Sequence, residues 1–313
     1  MVSLVSVRAA AIWAAGPAPV PRPTAGSILL WWRVSPLVVV PLALAVLLYL
    51  GGVRRLARSS HPWPLHRTAF FFSGMSAIYL SLQSSVERYA TALFSIHVAQ
   101  HMLLTMIAPP LVALGAPITL ALRASGRPAR RTILRVVRSR PIQIIGHPLV
   151  AWALFTLSLY ALYFSPLYAL SLRHEWLHDV VHLHFLTVGF LFWWPVVGID
   201  PSRWRLSYPA RLLYVALMVP FHALLGVAIL STNQLLEPAG ALAPRPWGPS
   251  ALGDQHSGGA ILWAAGDILA LAAMGSVLMA WMLNERRTAA REDRRLDRSG
   301  APGAVSWTGR PSE

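Results

Sequence analysis

Histidine spacing is the first chemical signal in this sequence. His97 and His101 stand four residues apart in an otherwise apolar stretch, and His178 and His182 repeat the spacing further on. Side chains at i and i+4 share one helix face, so two imidazoles can reach one ion from adjacent turns. His222 and Asp267 stand singly inside other apolar runs. A carboxylate at the centre of a membrane helix costs about 2.5–3.5 kcal/mol on insertion scales, so Asp267 calls for a partner such as a metal, a protonated histidine or a hydrogen-bonding neighbour. Met102 and Met106 form another i, i+4 pair, offset by about 100° from the histidines on an ideal helix, and thioethers favour Cu(I). The chain has no cysteine, which excludes disulfides, thiolate metal sites and cysteine nucleophiles.

The elements that must carry these residues are membrane helices. Of the 313 residues, 55% are hydrophobic and only 12% charged, against about 25% charged in soluble domains. Mean hydropathy is +0.52. This excludes a soluble enzyme, a disordered chain and a collagen-like fibre. A spanning helix needs about 20 mostly apolar residues. Seven segments qualify: 36–53, 68–86, 92–114, 148–168, 178–198, 209–232 and 258–283. The expected fold is an all-α, seven-helix polytopic membrane bundle. Pro109-Pro110 should kink the third span, because proline removes a donor and clashes with the preceding turn.

Charge then orients the bundle. The net charge is +15, carried by arginine alone; in a membrane protein such an excess sets orientation rather than nucleic-acid binding. The segments following spans one, three, five and seven hold 21 of the 27 basic residues, counting Arg211 with the segment before it. Positive residues gather on the cytoplasmic side, so the N-terminus is expected outside and the C-terminus inside. Glu87, Glu175, Asp179, Glu237 and Asp254 then fall on the outer side, which favours cations there.

Eight histidines also fall at the outer side: His97, His101, His174, His178, His182, His184, His222 and His256. At 1.5 Å per residue, His97 and His101 lie roughly 8 and 14 Å below the surface, His182 about 6 Å, Asp267 about 13 Å and His222 about 15 Å. Four spans thus put polar ligands into one layer in the outer half of the membrane. Plainer readings exist for each. Paired histidines can simply hydrogen-bond across a helix interface, His184 points away from His182 by helical geometry, the methionines can be packing residues, and Trp193-Trp194 fits an interfacial belt.

Outside the spans the signals are weaker. Residues 1–35 read as an exterior proline-rich tail or a weak signal segment around Ala9 to Ala15. Arg130, Arg131, Arg135 and Arg138 alternate with Ile133, Val136 and Val137 within 123–140, as in an amphipathic helix on the inner leaflet. Residues 284–313 read as a helix stub followed by a disordered, charged cytoplasmic tail.

Three segments carry a family resemblance. The first is Ser95-Ile96-His97-Val98-Ala99-Gln100-His101-Met102-Leu103-Leu104, with Ala108-Pro109-Pro110-Leu111 and Leu114-Gly115-Ala116-Pro117 behind it. The second runs from His178 to Asp200-Pro201 through Phe192-Trp193-Trp194-Pro195, and the third is Asp254-Gln255-His256-Ser257-Gly258-Gly259-Ala260-Ile261-Leu262-Trp263. Over residues 36–283 the chain resembles the membrane-integral cytochrome c oxidase assembly factors of the CtaG (caa3) type. The resemblance implies a non-enzymatic, multi-pass protein of the bacterial cell membrane that handles copper for an oxidase subunit. It makes His97, His101 and Met102 copper contacts, with His178, His182, Asp254 and His256 as a second group. Two other readings stay open: a b-type haem protein with axial histidines from facing helices, and an intramembrane zinc hydrolase built on three histidines and Asp267.

Overall fold

The computed structural model describes residues 19–59, 62–236, 242 and 245–299. The signal-like stretch Ala9 to Ala15, His61, Glu237 and residues 300–313 lie outside the described residues. Every regular element described is a helix: α1 (Ala25–Leu30), α2 (Pro36–Ala57), α3 (Leu65–Gln83), α4 (Ser85–Ala90), α5 (Phe94–Met102), α6 (Ala108–Leu114), α7 (Pro117–Ala124), α8 (Arg127–Val137), α9 (Arg140–Ile145), α10 (Pro148–Tyr163), α11 (Leu167–Arg173), α12 (Glu175–Val197), α13 (Tyr208–Ser231) and α14 (Ala251–Ser299).

Five helical stretches are long and apolar enough to cross a membrane: Pro36–Ala57, Phe94–Ala124, Glu175–Val197, Tyr208–Ser231 and Ala251–Leu296. α10 and α11, bent by 73° at their junction, make a sixth if taken as one broken span. This differs from the expected seven at α3, whose 19 residues include Arg67, Ser73, Ser76, Ser81 and Gln83 and leave it less apolar than the others. Apolar side chains cover the outside of the bundle, among them Leu37, Leu47, Leu157, Leu183, Leu213 and Ile268. Faces of that kind are stable against lipid, not water.

The double proline is accommodated without severing its span. Leu103–Ile107 forms a π-helical turn, and Ala108 restarts the α-helix with proline in its first turn, where proline needs no intrahelical donor. The turn frees the Thr105 carbonyl, which accepts from the Trp193 indole at 2.9 Å. Gly189 lets α12 close on this turn, since a Cβ there would lie 2.9 Å from both the Thr105 carbonyl and the Pro109 ring. α13 and α14 meet in the same way, with Gly226 against the Gly259 carbonyl and Trp263. Two large apolar cores result, beside a small one around Val20, Tyr89 and Ala92. One joins α5, α10, α12, α13 and α14, and the other joins α2, α3, α6 and α7.

Two aspartates from the motif segments hold helix starts across the fold. Asp200 accepts from the Ile118 and Thr119 amides at 3.2 and 2.7 Å, at the start of α7. Asp254 accepts from the Phe94 amide at 2.7 Å and the Ser95 hydroxyl at 2.5 Å, at the start of α5. The amphipathic α8 is present, with none of its residues buried. α14 continues as helix through Ser299, so residues 284–299 extend the expected stub.

Candidate metal centre

α5 and α12 place four imidazoles in a block. Within each helix the i, i+4 partners lie close, with His97–His101 and His178–His182 ring centroids both 4.1 Å apart. Across the pair His97 faces His178 and His101 faces His182, each at 5.7 Å. This pairing in register means that α5 and α12 run in the same direction. The chain between them therefore returns to the end it left, which α10 and α11 accomplish. All four residues are buried, His97 at 0% and His178 at 7% exposed.

The carboxylate in this block comes from α4, the short helix where the chain turns between α3 and α5. Glu87 is 7% exposed. Its oxygens lie 3.6 Å from His178 Nδ1 and 4.0 Å from His182 Nδ1, and it accepts a hydrogen bond from the Gln100 amide. Gln100 in turn donates to the Ser81 carbonyl at 2.9 Å, which ties α4 and α5 to the end of α3. Burial pushes the Glu87 pKa up, but the hydrogen bond from His178, the charges of His182 and His178 and the Gln100 hydrogen bond outweigh it and hold it below the usual carboxylate value.

Ligand atoms of Glu87, His178 and His182 all lie within 4.8 Å of one another, the one such group of three among the described residues. The cluster also holds five buried ring nitrogens with no hydrogen-bond partner: both of His97 and the Nε2 atoms of His101, His178 and His182. A buried polar group left unpaired costs about 1–3 kcal/mol. An ion that binds imidazole lone pairs could satisfy several of them at once. Two histidines and a carboxylate with the remaining positions open suit a divalent ion that must also exchange. His101 Nδ1 has its partner, the Tyr163 hydroxyl, at 3.3 Å.

The other residues expected at the site are elsewhere, each for a physical reason. Met102 faces away from the histidine stripe and packs, with Met106, in the apolar core. His222 on α13 stacks on Phe155 at 5.7 Å and abuts Gly266. Both its nitrogens are unpartnered, as is Asp267 Oδ1 on α14, but neither residue joins the Glu87 group. Asp254 is occupied with the Phe94 amide and the Ser95 hydroxyl and lies 3.8 Å from the Arg245 guanidinium, so its task is to hold the helix that bears His97 and His101. His256 donates to the Thr232 carbonyl at 2.9 Å. Of the expected ligands, the Glu87 group takes His178 and His182, with His97 and His101 facing them, while His222 and Asp267 lie outside it. Glu87 was legible only as one of several outer charges. The available sign was a carboxylate set in the short turn between two apolar stretches.

An all-helical membrane protein with a buried imidazole and carboxylate cluster is the class that fold and site define. Residues 47–284 match the family described as cytochrome c oxidase caa3 assembly factor (Caa3_CtaG), and the chain belongs to that family. It is also similar to uncharacterized proteins of Mycobacterium bovis and Mycobacterium tuberculosis, 36% identical over 286 residues in each case, covering 88% of this chain and 43% of the relative. An uncharacterized protein of Mycobacterium leprae is 35% identical over 274 residues, covering 85% of this chain and 42% of the relative. The chain thus spans less than half the length of these relatives. No solved structure matches it.

Proposed function

We propose that this protein receives copper at the outer side of the bacterial cell membrane and delivers it to a membrane-embedded subunit of cytochrome c oxidase. The observation that carries this reading is the block of four buried imidazoles with unpartnered nitrogens beside Glu87. Copper is the cargo here. Glu87, His178 and His182 would take it up, with His97 and His101 next to them as exchange ligands. An open set of ligands spread over α4, α5 and α12 suits transfer, where a closed four-ligand site suits storage. The donors are nitrogen and oxygen, which fits Cu(II) better than a methionine site would. The arginine distribution supports an outward-facing cluster and a cytoplasmic C-terminus, with α3 and the α10–α11 pair completing seven crossings.

The decisive experiment is metal analysis of purified wild-type protein and the His178→Ala/His182→Ala variant, together with oxidase activity in cells carrying each. We expect bound copper in the wild type, its loss in the variant, and a parallel loss of oxidase. Unchanged copper and unchanged oxidase at equal expression would refute the reading.

A zinc hydrolase is the second reading, because two histidines and a glutamate with an open position also make a hydrolytic zinc site. Stoichiometric zinc and no copper in the same analysis would favour it. Haem is less well supported. A porphyrin between α5 and α12 would have to push α12 away from the π turn that continues α5, where Gly189 brings the two backbones together.

A further inference from the structure

The arginine-rich end of the bundle is short of counter-charge. Segments 54–67, 117–147 and 198–211 meet there. The Arg123 guanidinium lies over the Trp63 ring, Asp200 accepts from the Thr119 amide, and the Trp204 indole donates to the Gln143 carbonyl at 2.9 Å. Together these segments hold fourteen arginines and a single acidic residue, Asp200. Asp200 is buried and is occupied by the Ile118 and Thr119 amides, so it does not answer the arginines on the surface.

The shortage is plainest along α8. Arg127, Arg130, Arg131 and Arg135, with Arg138 just beyond, are all exposed. Among the described residues none of these five enters an ion pair. At 3.6 residues per turn they gather on one side of the helix, with Ile133 and Val136 on the other. No residue of α8 is buried; Val136 is 56% exposed, and Ile144 in α9 is 64% exposed. A helix with one cationic side and one apolar side is matched to the layer between water and hydrocarbon.

Flanking indoles set its depth. Arg67 and Arg123 both lie over the Trp63 ring, at 4.9 and 5.5 Å, and Arg203 lies over Trp204 at 5.3 Å. Trp63 is fixed in turn by its Nε1–H bond to the Tyr49 hydroxyl at 2.9 Å. Indole rings gather at the headgroup level. Trp63 adjoins α7 and Trp204 adjoins α9, so the excursion that carries α8 begins and ends at that level.

We propose that α8 and α9 form a binding surface for anionic phospholipid, whose headgroup phosphates provide the charge that the protein lacks while Val136, Ile142 and Ile144 enter the acyl boundary. Guanidinium and phosphate match in geometry as well as in charge. Free phosphate would leave the apolar side in water, so the surface fits a phosphate that carries acyl chains. The extension of α14 is the contrast. Its Arg291, Arg294 and Arg295 are interleaved with Glu292 and Asp293, which offer counter-charge on the same rod. The inference is independent of the copper reading.

The test uses full-length protein in nanodiscs made from a mixture of phosphatidylcholine and phosphatidylglycerol. Lipids that stay bound on transfer to detergent are counted by native mass spectrometry. The wild type is expected to retain phosphatidylglycerol at about fivefold or more over its share of the mixture, the effect of roughly one arginine held near an anionic surface. Arg130→Gln/Arg131→Gln/Arg135→Gln/Arg138→Gln is expected to lose this enrichment. Arg287→Gln/Arg291→Gln/Arg294→Gln/Arg295→Gln, with the same change in charge, is expected to keep it. A second measurement leaves the arginines intact. Val136→Cys, in a chain without native cysteine, carries an NBD fluorophore. Its emission should move to the blue when phosphatidylglycerol joins phosphatidylcholine in the discs, and move back at high salt. Retention at the bulk share in the wild type, or a Val136 spectrum typical of water in both kinds of disc, would overturn the proposal and leave the α8 arginines to orient the bundle or to meet an acidic protein. Equal loss of enrichment in the two arginine variants would overturn it as well, because net charge alone would then explain the retention.

Discussion

Glu87 links the charge of the cluster to its position. It faces two histidines, is fixed by Gln100 and stays ionised where an ordinary carboxylate begins to protonate. Glu87→Gln keeps the shape and the hydrogen-bonding reach but removes the anion. We expect copper affinity to fall by about tenfold or more, read by competition with a chelator of known affinity. At this scale the sequence shows much of the site: the spacing of His97, His101, His178 and His182 alone predicts two matching faces. It does not show Glu87, because nothing local says that α4 folds back over those faces.

Close approach and capping decide whether the two histidine helices meet in register. Gly189 sits where α12 touches the π turn of the other helix. Gly189→Ala should destabilise the protein by about 1–3 kcal/mol through overpacking and lower copper retention in step, measured by thermal melting and metal content together. Asp254 acts at the other end, holding the first turn of α5. Loss of an N-cap costs about 0.5–2 kcal/mol. Asp254→Ala should therefore lower stability and copper affinity modestly while leaving the Cu(II) electron paramagnetic resonance spectrum unchanged. A changed spectrum would instead make Asp254 a ligand. Helix content follows directly from composition, and the double proline marks where the helix departs from regular α geometry. The caps do not, because Asp254 reaches α5 from 160 residues away in sequence, and no local pattern encodes such a contact. The same holds for His222 and Asp267, which no local pattern separates from the cluster although neither joins the Glu87 group.

Across the whole molecule, arginine asymmetry and apolar length together make the orientation directly testable. With no native cysteine, single introduced cysteines give clean labelling. Ala129→Cys on α8 should react with an impermeant maleimide only from the cytoplasmic side, and Leu235→Cys, after α13, only from outside. Reversed labelling would invert the bundle and put the cluster on the wrong face for an outward copper supply. The number of crossings was the least legible global property, because α3 is polar enough to read either way while α10 and α11 bend. α14 is different in kind. At 1.5 Å per residue its 49 residues extend about 74 Å, well beyond a hydrocarbon core of about 30 Å. The carboxylate that pins the first turn of α5 lies near one end of this rod, and Arg291, Arg294 and Arg295 lie near the other. The rod is anchored between them by the Gly226–Gly259 seam. A tilt of this rod about the seam is passed to the histidine helix through one carboxylate, as a lever passes load through its short arm.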